Sequence, residues 1–244
     1  MLPPFSVIIP AYNEADNVGP LARETIAVLP AEAEFEIIFV DDASTDDTAE
    51  RVLEIRREDK RVRLLRHRNN SGQSAGIKNG AQIARYDWIV TMDGDGQNDP
   101  ADIPKLFAAM AGAPATPPLG LVGGLRMKRQ DVFARRIVSR SANAIRQWVL
   151  RDNCRDTGCS LKAIRRDLML DLPHFRGLHR YLPALAPAYG YSTQFVDVNH
   201  RPRAAGASKY TNWGRALVAV RDMLGVIWLR HRAAAAFPYE AEPD

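Results

Sequence analysis

Two carboxylates one residue apart, Asp93 and Asp95, stand in the run Asp93-Gly94-Asp95-Gly96-Gln97. Such a pair suits a hard divalent cation that takes oxygen ligands, Mg2+ or Mn2+, with Gln97 as a further ligand or an orienting group. A cation held there would neutralise a leaving diphosphate, a Lewis-acid role. An acidic turn is also an ordinary surface loop, so the run needs support from the rest of the chain. Two more polar clusters supply it, Tyr12-Asn13-Glu14 and Asp41-Asp42, each at the end of an apolar run.

The elements that must position these clusters read as alternating strands and helices. Phe5–Pro10 is a β-rich run closed by proline, and Asn13–Asn17 gives turn and cap chemistry to a helix with Val18, Leu21, Ile26 and Leu29 apolar. Phe35–Val40 is a second strand, and Thr45–Thr48 caps a helix containing Val52, Leu53 and Ile55. Val62–Leu65, a helix over Ala75–Ala84 and a strand over Trp88–Met92 follow, the last entering Asp93. This alternation predicts an α/β fold, a Rossmann-like, mostly parallel doubly wound sheet with helices on both faces. Ligands collect at the carboxyl ends of such strands, so the three clusters should converge in one crevice. Past a Pro/Ala-rich loop at Ala113–Pro118, Leu121–Gly124 reads as a fifth strand, Phe133–Leu150 as a long basic helix and Val196–His200 as a late strand. Trp213–Arg232 closes as a helix with Leu217, Val220, Leu224 and Ile227 on one stripe.

The 244 residues carry a net charge of +4, which hides a division. Residues 1–122 hold 12 Lys+Arg against 19 Asp+Glu, whereas residues 123–166 hold 12 against 3. An acidic first half can hold a cation and a basic middle can hold an anionic partner, although a solvated helix surface has the same composition. Cys154 and Cys159 are too few for a disulfide framework, and with His174 and His179 they give no zinc spacing, so they read as core or surface thiols. The opening Met1–Phe5 lacks the features of a signal peptide. No stretch reaches the roughly 18 to 20 apolar residues of a membrane span. The expected organisation is a catalytic domain over 1–212, an amphipathic helix over 213–232 for a membrane surface or a dimer contact, and a flexible tail over 233–244.

Val7-Ile8-Ile9-Pro10-Ala11-Tyr12-Asn13-Glu14, Val40-Asp41-Asp42-Ala43-Ser44-Thr45-Asp46 and Asp93-Gly94-Asp95-Gly96-Gln97 resemble, in order and spacing, the signature of family 2 glycosyltransferases with the GT-A fold. Within that family the likeness is to the dolichyl-phosphate (polyprenyl-phosphate) mannosyltransferase branch, over about residues 5–212. The resemblance implies that Pro10, Tyr12 and Glu14 frame a nucleotide, that Val40 and Asp42 meet base and ribose, and that Asp93, Gly94 and Asp95 serve the diphosphate. Asp93, Asp95 and Gln97 would hold the cation. Asp41 is a structural neighbour or the cap of the turn at Ser44.

The second half bears on the acceptor. Gly124-Leu125-Arg126, Arg135-Arg136-Ile137-Val138-Ser139-Arg140 and Arg203-Ala204-Ala205-Gly206-Ala207-Ser208-Lys209 match segments that, in the polyprenyl-phosphate branch, bind the lipid phosphate. The resemblance assigns Arg126, Arg135, Ser139, Arg203 and Lys209 to that phosphate, with Asp95 at the reacting diphosphate. Asp156-Thr157-Gly158-Cys159-Ser160-Leu161-Lys162 resembles the branch's Asp-x-x-x-Gly-Phe-Arg stretch but has its glycine early. A hydroxyl acceptor needs a general base, whereas a phosphate arrives ionised, so arginines can stand where a base would be. The resemblance implies a single displacement with inversion, moving a hexose, mannose from GDP-mannose or a sugar from a UDP donor, to undecaprenyl or dolichyl phosphate. The expected setting is the cytoplasm at the inner face of the cell membrane. Expected partners are a nucleotide sugar, the lipid phosphate and a membrane surface but no nucleic acid, with a homo-oligomer or a membrane-protein partner left open. A nucleotidyltransferase would use the same Asp-x-Asp cleft but needs a Gly-rich loop with Arg and Lys after the first strand. A nucleic-acid-binding protein would bind through residues 123–166 with marked salt dependence. Ser71-Gly72-Gln73-Ser74-Ala75-Gly76 lacks the Lys-Ser ending of a phosphate loop and reads as the loop opening a helix beside the nucleotide.

Overall fold

The computed structural model describes residues 2–113, 116–127, 146, 147, 149, 150, 152, 154–202 and 213–233. Strand β1 (Phe5–Ala11) is the centre of the first half. Phe5, Val7 and Ile9 face one core and Ile8 the other, so both faces of the strand are dry, as a parallel strand flanked by helices requires. It pairs in parallel with β2 (Phe35–Asp41) on one side and β4 (Trp88–Thr91) on the other, and β3 (Val62–Arg66) extends the sheet beyond β2. Helices α1 (Ala15–Val28), α2 (Thr48–Glu58) and α3 (Gln73–Ile83) connect them. Helix α3 lies close on β1 because Gly80 has no side chain. A Cβ there would sit 2.5 Å from Ile8 Cγ2, inside any tolerable contact.

The second half closes the sheet in a different way. Helix α4 (Ile103–Ala108) leads to β5 (Leu119–Arg126), and then β6 (Lys162–Arg165) inserts between β4 and β5, antiparallel to both. Helices α5 (Arg166–Asp171) and α6 (Leu178–Leu185) precede β7 (Ser192–Val198), which runs parallel to β5. The strand order is β3-β2-β1-β4-β6-β5-β7. The sheet is therefore mostly parallel and of the GT-A type, with one antiparallel strand that the alternation of the first half did not foretell. Strand β6 escaped notice because Lys-Ala-Ile-Arg has cationic ends, yet Lys162 is buried and donates to the carbonyl of Cys159.

The late strand was expected over Val196–His200 and is found over Ser192–Val198. Asn199 leaves the ladder because its N–H donates to Asp102 Oδ2, and its amide reaches Asp99 and Asp102. The closing helix, α7, spans Trp213–Arg232, the range expected from the sequence. Val226 is buried, with Met223, Ile227 and Leu229 partly buried against the core that holds α3 and α6. Val220, Leu224 and Trp228 are exposed, so the apolar stripe through Val220 and Leu224 faces away from the protein. Residues 128–145 and 234–244 lie outside the described residues, and with them most of the expected basic helix and nearly all of the expected tail.

Candidate active site

The carboxyl ends of β1, β2 and β4 open into one cleft of roughly 240 Å³, lined by Pro10, Ala11, Tyr12, Glu14, Asp42, Asn70, Gly72, Gln73, Asp93, Gly94 and Asp95. The position follows from topology. Strand order reverses between β1 and β4, and the loops diverging there leave a crevice. All three sequence clusters meet in it.

Two loops are laced together to form the nucleotide side. The N–H of Asn13 donates to Ser44 Oγ at 2.9 Å, and Asn13 Oδ1 accepts from the Thr45 N–H at 2.8 Å. The Glu14 N–H donates to Thr48 Oγ1, and Glu14 Oε2 accepts from the Asn17 amide at 2.6 Å. Asn13 and Ala43 both adopt positive φ, +53° and +61°, in the two turns that bring these loops together. Asp41 is the structural neighbour, accepting from the Ser44 N–H at 3.1 Å.

Asp42 is buried and held from three directions. Its Oδ1 accepts from His67 Nδ1 at 2.7 Å and from the Ser71 N–H at 2.8 Å, and Oδ2 accepts from the Gly72 N–H at 2.8 Å. The Asn79 amide, 3.0 Å from His67 Nε2, donates to that nitrogen and so leaves the proton on Nδ1 facing Asp42. With two acceptor sites per carboxylate oxygen, Oδ2 retains one for a ligand donor. Val40, expected to meet the base, does not line the cleft. Its side chain is fully buried with Ile8 and Ile38, supporting the floor instead.

Asp93 is gripped at both oxygens. The Gln73 amide donates to Oδ1 and the Ser160 hydroxyl to Oδ2, each at 2.5 Å, and the Asp93 N–H donates to Asn98 Oδ1. Burial, helped by the negative charge of Asp95, holds the Asp93 carboxyl above the usual range, against the opposing pull of the Ser160 hydrogen bond. Asp95 Oδ1 accepts from the Gln97 N–H at 3.1 Å. Gln97 itself turns toward the segment after β7, its Nε2 3.5 Å from the Arg201 carbonyl. Among the described residues no group of three or more His, Cys, Asp or Glu could hold a metal ion. Two carboxylates are nevertheless what a Mg2+ or Mn2+ ion shared with a substrate diphosphate takes from a protein, the rest of its shell being phosphate oxygen and water. The donor set, all oxygen and doubly acidic, fits such an ion.

Arg126 lies beyond β4, at the end of β5. Its Nε and Nη2 make a two-pronged pair with Asp156 at 2.6 and 2.8 Å, and both side chains are largely buried. Burial opposes the guanidinium charge, but Asp156 more than offsets this, and Arg126 is held more firmly protonated than usual. Arg135, Ser139, Arg203 and Lys209 lie outside the described residues, as does Arg136. The segment leading to Arg203 is described. Arg201 pairs with Glu24 at 2.6 Å and with Asp99 at 2.7 Å, and its N–H donates to the Gln97 carbonyl, fastening the exit of β7 to the loop after Asp95.

A model of glycosyl transferase family 2 matches residues 6–172, which takes in the three clusters and β1 to β6. The chain belongs to that family. Among curated family relatives, an undecaprenyl-phosphate 4-deoxy-4-formamido-L-arabinose transferase of Edwardsiella ictaluri is 35% identical over 84% of this chain and 62% of its own length. A dodecaprenyl-phosphate galacturonate synthase of Rhizobium johnstonii is 34% identical over 94% of this chain and 68% of its own length. The chain thus spans about two thirds of the length of the relatives it matches. Among solved structures, glucosyl-3-phosphoglycerate synthase of Mycobacterium tuberculosis, in complex with Mn2+, UDP and glucosyl-3-phosphoglycerate, superposes with a TM-score of 0.68 at 17% identity. That match covers 96% of this chain and 82% of the other, and it establishes the shared fold.

Sequence reasoning missed Gln73, Asn70 and Ser160 as parts of the site. Gln73 sat in a loop placed beside the nucleotide without a role, and Ser160 in a stretch assigned only to the wall. Cys154 and Cys159 are buried thiols, the first pushed up to about 11 by burial and the second also raised, which keeps both protonated.

Proposed function

We propose that the chain transfers a sugar from a nucleotide sugar to a polyprenyl phosphate, with Mg2+ or Mn2+ bound at Asp93 and Asp95. The observation that carries this reading is the single cleft in which Tyr12 and Glu14, Asp42, and Asp93 and Asp95 meet. The relatives named for undecaprenyl and dodecaprenyl phosphate support the acceptor class.

In this reading the half-exposed Tyr12 ring and the remaining acceptor site of Asp42 Oδ2 take the nucleoside. When bound, the cation supplies positive charge against the leaving diphosphate. Asp93, fixed by Gln73 and Ser160, and Asp95 hold that ion, with Gln97 ordering the turn. The acceptor phosphate is already ionised and needs no base. Its oxygen forms a bond to the anomeric carbon while the bond from that carbon to the diphosphate breaks, with inversion. Arg126 engages Asp156 through Nε and Nη2, which leaves Nη1 and one Nη2 hydrogen for a phosphate oxygen. Arg135, Ser139, Arg203 and Lys209 complete the acceptor side by resemblance.

The sugar is the finer part of the proposal. Mannose from GDP-mannose follows from the resemblance of the motifs, while the relatives are named for a formamidoarabinose and for galacturonate, so UDP-linked donors stand beside it. Membrane contact is proposed to be peripheral. No helix among the described residues is long and apolar enough to cross a bilayer. The outer face of α7 joins Val220, Leu224 and Trp228 to the exposed cations Arg221 and Arg232, a composition suited to an anionic lipid surface. Its one acid, Asp222, turns inward, with Oδ2 3.4 Å from where a Cβ on Gly177 would sit.

The test is to incubate the purified chain and Mn2+ or Mg2+ with a short polyprenyl phosphate and a panel of GDP-mannose, UDP-glucose, UDP-galacturonate and a UDP-formamidoarabinose. One donor should yield a lipid-phosphate sugar. Failure of every donor with a folded protein would overturn the reading. Arg135→Ala should chiefly raise the acceptor KM, and an equal loss of donor binding would contradict its assignment.

A further inference from the structure

Three consecutive residues donate to both halves of the cleft. Ser71 and Gly72 give their N–H groups to Asp42 Oδ1 and Oδ2, each at 2.8 Å, and Gln73 gives its side-chain amide to Asp93 Oδ1 at 2.5 Å. Ser160, far away in sequence, closes the grip from the other side at 2.5 Å and stands 3.5 Å from the same Gln73 nitrogen. Gly72 makes the geometry available. It adopts φ +85° and ψ 165°, a region open essentially to glycine alone, while nothing lies within 4 Å of the place a Cβ would occupy. The turn is set by backbone conformation and not by crowding.

We infer that Ser71-Gly72-Gln73 is a strap that sets the nucleoside carboxylate and the cation carboxylate in one rigid relation, with Gln73 and Ser160 acting as positioning residues for the cation. The inference rests on the transferase reading and adds residues to that site. Both oxygens of Asp93 are held by uncharged donors, so its orientation is fixed while its charge is left for the ion. Groups that orient a metal-binding carboxylate in this way tune metal affinity without touching the metal.

The test separates the two halves with two probes on the full chain. Mn2+ binding without nucleotide, read by the EPR signal of the free ion, reports on Asp93. UDP and GDP binding in EDTA, read by calorimetry, reports on Asp42. Gln73→Ala and Ser160→Ala should each weaken Mn2+ by about ten- to a hundredfold while metal-free nucleotide affinity stays within about twofold. Ser160→Thr, which keeps the hydroxyl, should restore Mn2+ binding. Gly72→Ala should weaken both probes, although it alters no side chain that touches either. Far-ultraviolet circular dichroism and the melting temperature verify folding, and Ser160→Thr serves as the folded control. Unchanged Mn2+ affinity in Gln73→Ala and Ser160→Ala, beside a wild-type chain that binds Mn2+ and turns over, overturns the strap and leaves the transferase reading standing. A wild-type chain that binds neither Mn2+ nor nucleotide overturns both.

Discussion

The two flanks of the cleft handle charge in opposite ways. On the donor flank, built by β1, β2 and β4, the carboxylate of Asp93 is fixed by an amide and a hydroxyl, and that of Asp42 by two backbone N–H groups and a histidine ring. On the flank built by β5 and β6, Arg126 is fixed by a full opposite charge, Asp156, and Lys162 is buried with its ordinary pKa driven down by desolvation. The carboxylates of Asp42 and Asp93 are thus oriented by hydrogen bonds, whereas the Arg126 guanidinium is oriented by an ion pair.

The largest effect expected from this contrast is at Asp95. Asp95→Ala removes one of the two carboxylates proposed to hold the cation, and several kcal/mol of charge stabilisation corresponds to a loss of turnover of at least about a thousandfold. A steady-state assay showing less than a tenfold loss would mean that the donor flank does not work through a cation. Next is the compensated pair. Asp156→Ala strands a buried guanidinium and should cost about 3–5 kcal/mol in urea unfolding. The double variant Arg126→Met with Asp156→Leu should be milder than either single change. A single variant as stable as wild type would show that the flank is not self-compensated.

Smaller is the acid response of the junction under the strap. Ser74 Oγ accepts from the Gly177 N–H at 3.1 Å and stands 2.8 Å from His179 Nδ1. Burial, with the charges of Lys162 and Arg180, pushes His179 down from 6.5 to about 3. Between those values the unfolded chain binds the proton and the folded chain does not. Its stability contribution is therefore complete above pH 6.5 and is lost as pH falls toward 3. Urea midpoints between pH 7 and 4 should fall less steeply in His179→Asn, and an identical slope would remove His179 from the account. Smallest for the fold is Trp228→Ser on α7. Stability should stay within about 0.5 kcal/mol, while binding to anionic vesicles should drop about tenfold. Unchanged vesicle binding would detach that face from the membrane.

The donor flank was legible in the sequence because each of its parts is local: an apolar strand followed at once by its polar cluster. Pro10, Tyr12, Glu14, Asp42, Asp93 and Asp95 could all be placed from the order of three short runs. Gln73 and Ser160 could not, since their partnership with Asp93 spans 20 and 67 positions and neither residue type carries a signal of its own. Strand β6 was hidden by its cationic ends, and Val40 was assigned to the ligand where its side chain belongs to the core. For α7 the spacing found an apolar stripe but not its direction, because apolar residues occur on both sides of the helix and packing against α6 chose Val226.

The insertion of β6 has a consequence for assembly. Strand β4, only four residues long, leads into Asp93 and pairs with Phe5–Ile8 on one edge and with Lys162–Arg165 on the other. Both pairings close long loops, whose entropy must be met before the contacts return anything. A nascent chain that has emerged as far as residue 150 holds all the donor-cleft residues that the sequence names, yet it has neither the second edge of β4 nor Ser160. The Asp93–Asp95 turn is therefore synthesised well before Ser160, the residue that closes the grip on it.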